Sequence, residues 1–174
     1  MATVRERFEQ ILAELQGESL ADAFADVIED DIEYAGTAED YFASMMRLPS
    51  PFLELYAALI FHSAVRMDGP ADAVPRYDTA EFMAALETGL AMLHKKKLFS
   101  VIGRIRQYLR SADLSALLSQ GPNVWLDRET GGISKVYWNE SNGLMSGIGD
   151  YLLEHRDLVM KAADKLDTLN AQLE

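Results

Sequence analysis

Acidic side chains recur at helical spacing between residues 18 and 33. On a helical wheel of about 100° per residue, Leu20 and Ile28 lie within about 60° of Phe24. Successive acidic positions four residues apart would lie about 6 Å apart along the helix axis, which is of the order of the phosphate spacing along a nucleic-acid strand. The pattern therefore predicts a face that attracts cationic groups. Six carboxylates fall opposite the apolar side: Glu18, Asp22, Asp26, Glu29, Asp30 and Glu33.

Two more acids open the next helix and extend this prediction. Thr37 and Asp40 form a capping-box pattern, which places Glu39 and Asp40 in a first helical turn. Like charges four residues apart destabilise a helix, and no lysine or arginine occurs between Arg7 and Arg47 to offset them. A surface selected for stability mixes both signs. The alternative is a solvated face that serves only solubility.

The chain as a whole is acidic, and its charge is uneven. It has 174 residues with 28 Asp+Glu against 16 Lys+Arg, a net charge of −12. Residues 1–60 hold 13 acids and 3 bases, and residues 61–174 hold 15 and 13. We therefore expect repulsion from nucleic acid and anionic lipid and attraction to basic partners. A basic band in the middle of the chain is expected to be a solvated face or an internal counterpart to the acids: Lys95, Lys96, Lys97, Arg104, Arg106 and Arg110.

Residues with the chemistry of catalysis are sparse. The chain has no cysteine, no glycine-rich phosphate loop and no nucleophile-elbow spacing. His62, His94 and His155 are far apart and lack acidic or histidine partners at helical spacing, and His62 lies in the most apolar segment. We predict no enzyme, no catalytic residues, no metal site and no cofactor. The lack of cysteine, of a signal-peptide pattern and of long apolar runs predicts a cytoplasmic protein.

Apolar periodicity predicts the elements that carry these residues. It indicates a mainly α, single-domain helical bundle over residues 1–174, with about seven to nine helices. The segment 51–67 is apolar nearly all round and is expected to be buried. Residues 68–77 contain two prolines and a glycine and are expected to form a loop. Aromatic and β-branched residues flank Gly131-Gly132, which favours a small β-hairpin near 124–138.

Part of the chain resembles a known family. Leu48-Pro49, Gly69 in the following turn, Ala85-Leu86-Glu87-Thr88-Gly89-Leu90-Ala91 and Tyr151-Leu-Leu-Glu-His155 resemble motifs of a bacterial family of uncharacterised helical domains that includes a DNA-mimic protein. Asp68-Gly69-Pro70-Ala71 replaces the Asn-Gly-Gly-Phe turn of that family. The resemblance implies an acidic helical protein that occupies DNA-binding surfaces of other proteins.

Three functional hypotheses follow from the sequence. The first is a non-enzymatic binding protein whose acidic helices engage a basic protein partner, such as a DNA-binding protein, without direct contact to nucleic acid or membrane. The second is an immunity-type inhibitor that covers a basic toxin such as a nuclease. The third is a small helical enzyme or ligand-binding domain with a pocket near Trp125, Trp138 and His155.

Overall fold

The computed structural model describes residues 2–32 and 37–172, and all regular structure in this part of the chain is helical. None of the helices in the described ranges is long and apolar enough to cross a membrane. Twelve helices occur in these ranges: α1 (Val4–Glu14), α2 (Gly17–Asp31), α3 (Ala38–Met45), α4 (Phe52–Asp68), α5 (Pro70–Arg76), α6 (Ala80–Met92), α7 (Lys96–Arg110), α8 (Leu114–Gln120), α9 (Pro122–Thr130), α10 (Ile133–Ser141), α11 (Leu144–Glu154) and α12 (Arg156–Asn170).

The chain divides into two compact units. The first unit combines Met1–Leu59 with Gly143–Glu174, and the second unit is the continuous segment Ile60–Asn142. The division falls within α4, whose residues 55–62 are all buried, as its apolar sequence predicts. That the chain is a single domain over residues 1–174 stays a prediction.

An aromatic cluster forms part of the core of the first unit. The rings of Phe8 on α1 and Phe52 on α4 stack with centroids 4.7 Å apart, and Phe24 on α2 meets the Phe52 ring edge-on at 5.8 Å. All three side chains are fully buried. Offset and edge-to-face contacts add to the apolar burial of such rings. The cluster therefore holds the apolar side of α2 against two other helices.

Two glycines let α2 and α11 approach closely in the first unit. Gly149 lies in the middle of α11, and a Cβ atom added there would overlap the backbone carbonyl of Gly17 at the start of α2. Gly17 itself has a φ of 55°, which a glycine adopts without strain. No other residue type fits position 149 without moving one of the two helices.

The last helix of the chain caps the first. The Asp167 carboxylate on α12 accepts hydrogen bonds from the main-chain N–H groups of Val4 (2.8 Å) and Arg5 (3.1 Å). These N–H groups have no acceptor within α1 itself, and a negative charge also suits a helix N-terminus. The Arg5 guanidinium adds a contact of 2.7 Å to Asp164. The carboxylates of Asp164 and Asp167 thus join α12 to the start of α1.

Side-chain hydrogen bonds and ion pairs connect the helices of the second unit. Asp78, just before α6, accepts hydrogen bonds from Arg106 and Arg110 of α7. Asn123 of α9 accepts from the main-chain N–H of Ala71 (2.9 Å) and donates to Asp72 (2.8 Å). Two members of the predicted basic band are therefore used in local ion pairs within this unit.

The predicted β-hairpin near 124–138 is wrong. The segment forms most of α9 and most of α10, and the two glycines between them have φ values of 69° and 97°. Gly131 ends α9 in the left-handed conformation, and its N–H donates to the Asp127 carbonyl. A left-handed glycine is a common helix ending. Ile133 and Tyr137 are buried while Lys135 between them is exposed, which fits a helical period and not the alternation of a strand.

The predicted count of seven to nine helices is too low, because the segments predicted as a loop and a hairpin form helices. The three additional helices are α5, α9 and α10, and the loop expected at 68–77 is mostly α5. Pro70 and Pro122 each occupy the first turn of a helix, where a missing N–H costs nothing. Glycine and proline here mark the boundaries of short helices, whereas the same residues predict a loop and a turn when only the sequence pattern is considered.

We predict that Gly149→Ala lowers the free energy of unfolding by about 2 kcal/mol or more, because the new methyl group must push α11 away from the Gly17 carbonyl. Urea denaturation followed by circular dichroism measures this change. Gly147→Ala is the matched control on the same helix, since a Cβ there meets nothing within 4 Å. The control should be neutral or stabilising, by up to about 1 kcal/mol. Equal losses in both variants would contradict the close approach.

Candidate protein-binding face on the second helix

The helix that carries the predicted acidic residues is firmly packed on one side. Leu20, Phe24 and Ile28 are fully buried, and Val27 is nearly so. These positions repeat at three and four residues and define one face of α2. The helix has no side-chain cap at its N-terminus, where Gln16 is the N-cap residue. Tertiary packing therefore fixes the position of α2, and the opposite face follows from helix geometry.

Five of the predicted carboxylates lie exposed on α2. We call this set the acidic face: Glu18, Asp22, Asp26, Glu29 and Asp30. Their exposure, together with the burial of the apolar residues, matches the helical wheel drawn from the sequence. The sixth, Glu33, lies outside the described residues.

The two acids predicted to extend this surface open a separate helix in the first unit. Glu39 is exposed and Asp40 is half-buried, both in the first turn of α3. The Asp40 N–H donates to the Thr37 hydroxyl oxygen at 3.1 Å, and that hydroxyl donates to the Asp40 carboxylate. Asp40 thus helps to cap α3. Within residues 2–32 and 37–172, no ion pair or hydrogen bond joins Glu39 or Asp40 to the acidic face.

One arginine from the preceding helix compensates part of the acidic charge. The Arg7 guanidinium lies 2.6 Å from an Asp30 oxygen and 3.6 Å from an Asp31 oxygen. Sequence reasoning missed this pair, because Arg7 is more than twenty positions away and reaches Asp30 only through the packing of α1 on α2. The other four acids have no cation within 4.0 Å among the described residues.

A neutral hydrogen-bond network holds one member of the acidic face. The Tyr56 hydroxyl lies 3.3 Å from a Glu29 oxygen, to which it donates, and 2.6 Å from the Tyr41 hydroxyl. Burial raises the pKa of Tyr56 well above its ordinary value, and the bond to Tyr41 acts in the same direction. Tyr56 therefore stays protonated and orients Glu29 without cancelling its charge.

The residues of the alternative pocket are divided between the two units. Trp125 and Trp138 belong to the second unit and His155 to the first. The His62 Nδ1 atom is 3.2 Å from the Tyr137 hydroxyl, and the imidazole is buried against the Trp138 ring with centroids 6.0 Å apart. Within the described residues, no group of three or more histidine or acidic side chains is placed to hold a metal ion.

Comparisons of the chain with protein-family models, with curated proteins and with solved structures find no match. The resemblance to the helical family that includes a DNA-mimic protein therefore stays a prediction.

We predict that His62 makes the protein less stable in acid. Burial, with a smaller effect of Arg66, lowers the pKa of His62 from 6.5 to about 4. The folded state therefore binds a proton less readily than the unfolded state. The stability that this neutral imidazole contributes is complete above pH 6.5 and is lost as the pH falls towards 4.

The measurement is the free energy of unfolding of wild type and of His62→Gln between pH 7 and pH 4. We expect the variant to lose about 3 kcal/mol less than wild type over this interval. His94→Gln is the control, because His94 is exposed. Parallel pH profiles for wild type and His62→Gln would contradict the burial of a neutral histidine.

Proposed function

We propose that the chain is a non-enzymatic acidic binding protein whose acidic face engages a basic protein partner, in the position that DNA phosphates would take. One observation carries the proposal. Four adjacent exposed carboxylates of α2 have no cation within 4.0 Å among the described residues: Glu18, Asp22, Asp26 and Glu29.

The energetics of this surface favour a cationic partner. Like charges three and four residues apart on a helix repel each other, and the repulsion is relieved when lysine or arginine side chains approach. The exposed carboxylates are well solvated, so their main contribution is to steering and specificity. Association with such a partner is expected to be fast at low salt and to weaken as salt is added.

The regular spacing of the carboxylates supports the more specific role of a DNA mimic. Asp22 and Asp26 are one helical turn apart on a helix whose other face is buried, so their separation is fixed at about 6 Å along the axis. A protein that binds the phosphate backbone of DNA places its cationic side chains at a spacing similar to that of the phosphates. The resemblance of residues 48–109 and 151–155 to a family that includes a DNA mimic points the same way.

We predict that the paired reversals Asp22→Lys and Asp26→Lys together weaken partner binding by about 100-fold at low salt, because two attractive contacts become repulsive. These positions are preferable to Glu29, whose hydrogen bond to Tyr56 couples it to the packing of the first unit. The partner is first captured from lysate of the source organism at low salt and eluted with salt. Its affinity is then measured with both purified proteins.

The matched control is Glu81→Lys with Glu87→Lys, which changes the net charge equally on exposed positions of α6. We expect the control to bind nearly as well as wild type. Displacement of the partner from duplex DNA by the wild-type chain would support the DNA-mimic role, and a toxin as the partner would indicate the immunity-type role. Unchanged binding by the α2 double variant would exclude the acidic face as the binding surface.

A further inference from the structure

A small cavity lies at the ends of three helices in the first unit. Its volume is about 170 Å³, and it is bordered by the last turns of α2 and α12 and by residues at and just after the end of α3. Apolar walls come from Leu48, Leu166 and Leu169. The polar residues around it include Asp31, Arg47 and Asn170.

The electrostatic environment of this cavity favours a positive charge. A helix C-terminus carries a partial negative charge on its last carbonyl groups, and the ends of α2, α3 and α12 border the cavity. No anion is expected to enter beside these carbonyl groups and the Asp31 carboxylate. Arg47 is exposed and is the one basic residue among the described residues that line the cavity.

The Asp31 carboxylate has unused capacity to accept hydrogen bonds. Only 15% of its side chain is exposed, and one oxygen accepts a long bond of 3.4 Å from the Asn170 amide. The other oxygen is buried with no hydrogen-bond partner in the described part of the chain, and the Arg7 guanidinium is 3.6 Å from it. Burial raises the pKa of Asp31 above its ordinary value, against the opposing effect of Arg7. An added donor would stabilise the ionised form.

We propose that this cavity is a binding site for a primary alkylammonium group on a short aliphatic stem. The ammonium donates to the Asp31 oxygen that accepts the long bond from Asn170, because the other oxygen is closed to solvent, and the stem packs against Leu48, Leu166 and Leu169. The volume equals the share of about six water molecules, which suits the five non-hydrogen atoms of a four-carbon alkylammonium. A metal ion is disfavoured, because the cavity supplies one carboxylate where a hard cation requires several oxygen ligands.

This site is separate from the proposed function of the acidic face. Asp31 lies on the apolar side of α2, at about −20° on the wheel that places Phe24 at 0°. Free alkylamines and lysine side chains of another protein carry the same group, and two probes separate these sources. The probe n-butylammonium represents a free amine, and Nα-acetyl-lysine methylamide represents a lysine side chain within a polypeptide.

The test is a titration of the full chain with each probe, followed by nuclear magnetic resonance shifts of the amides around the cavity. We expect n-butylammonium to bind with a Kd on the order of 1–10 mM. Asp31→Asn should weaken binding about tenfold or more, because a charge-assisted hydrogen bond is lost. Arg47→Gln should strengthen binding, since a like charge leaves the cavity wall.

Binding of Nα-acetyl-lysine methylamide as well would extend the site to protein side chains, whereas binding of n-butylammonium alone would assign it to free amines.

Asp26→Asn is the matched control, with the same charge change on an exposed position of the same helix. Equal weakening by Asp26→Asn and Asp31→Asn would overturn the proposal in favour of general attraction to an acidic protein. Binding of n-butanol as tight as that of n-butylammonium would overturn the role of charge. If Asp31→Asn does not fold, Leu169→Trp serves instead, because the larger side chain fills the cavity and should abolish binding. No shifts in wild type at 50 mM probe, a concentration about five times the weakest expected Kd, would exclude the site.

Discussion

The contact between the backbones of α2 and α11 is the constraint on which the first unit depends. Gly149 brings α11 so close to the Gly17 carbonyl that a single methyl group would not fit between them. Around this contact, the aromatic residues of α1, α2 and α4 remove the apolar face of α2 from water. Packing of this kind outweighs the weak repulsion among exposed carboxylates, which amounts to a few tenths of a kcal/mol per pair. A helix with an unfavourable charge pattern is therefore held in place by its other side.

Acidic and basic groups are compensated to different extents in the two units. In the second unit, Asp78 pairs with two of the arginines of α7, and Lys95 donates to a main-chain carbonyl. In the first unit, Arg7 pairs with Asp30, but the other four members of the acidic face have only the neutral Tyr56 hydroxyl among their described hydrogen-bond partners. The excess of negative charge thus stays at the surface of the first unit, and the proposed binding function rests on it.

The sequence was sufficient for features that depend on local periodicity. The buried and exposed faces of α2 follow from residues three and four apart, and the burial of α4 follows from its continuous apolar character. The hairpin prediction failed because β-branched and aromatic residues beside Gly131-Gly132 satisfy strand preferences as well as they satisfy helix packing. The left-handed conformation of Gly131, and the exposure of Lys135 between the buried Ile133 and Tyr137, distinguish the two structures.

Features that join distant segments could not be predicted in this way. Arg7 and Asp30 become partners because α1 packs beside α2, and no local pattern pairs them. Asp167 caps α1 from a position more than 160 residues away. The cavity beside Asp31 also arises because the end of α12, more than 100 residues away in sequence, meets the ends of α2 and α3. Such contacts depend on how helices pack, and helical periodicity alone carries no information about the choice of partner.

The discontinuous first unit has a consequence for the order of folding during synthesis. The ribosome produces α1, α2 and α3 first, yet α11 and α12 emerge only after the whole of the second unit. Until then the apolar face of α2 lacks its α11 neighbour, and the N-terminus of α1 lacks the Asp167 cap. The second unit is continuous and has all its residues available earlier. Co-translational folding is therefore expected to complete the second unit before the first. Until α11 and α12 are made, the charge of the nascent N-terminal helices is expected to keep them soluble.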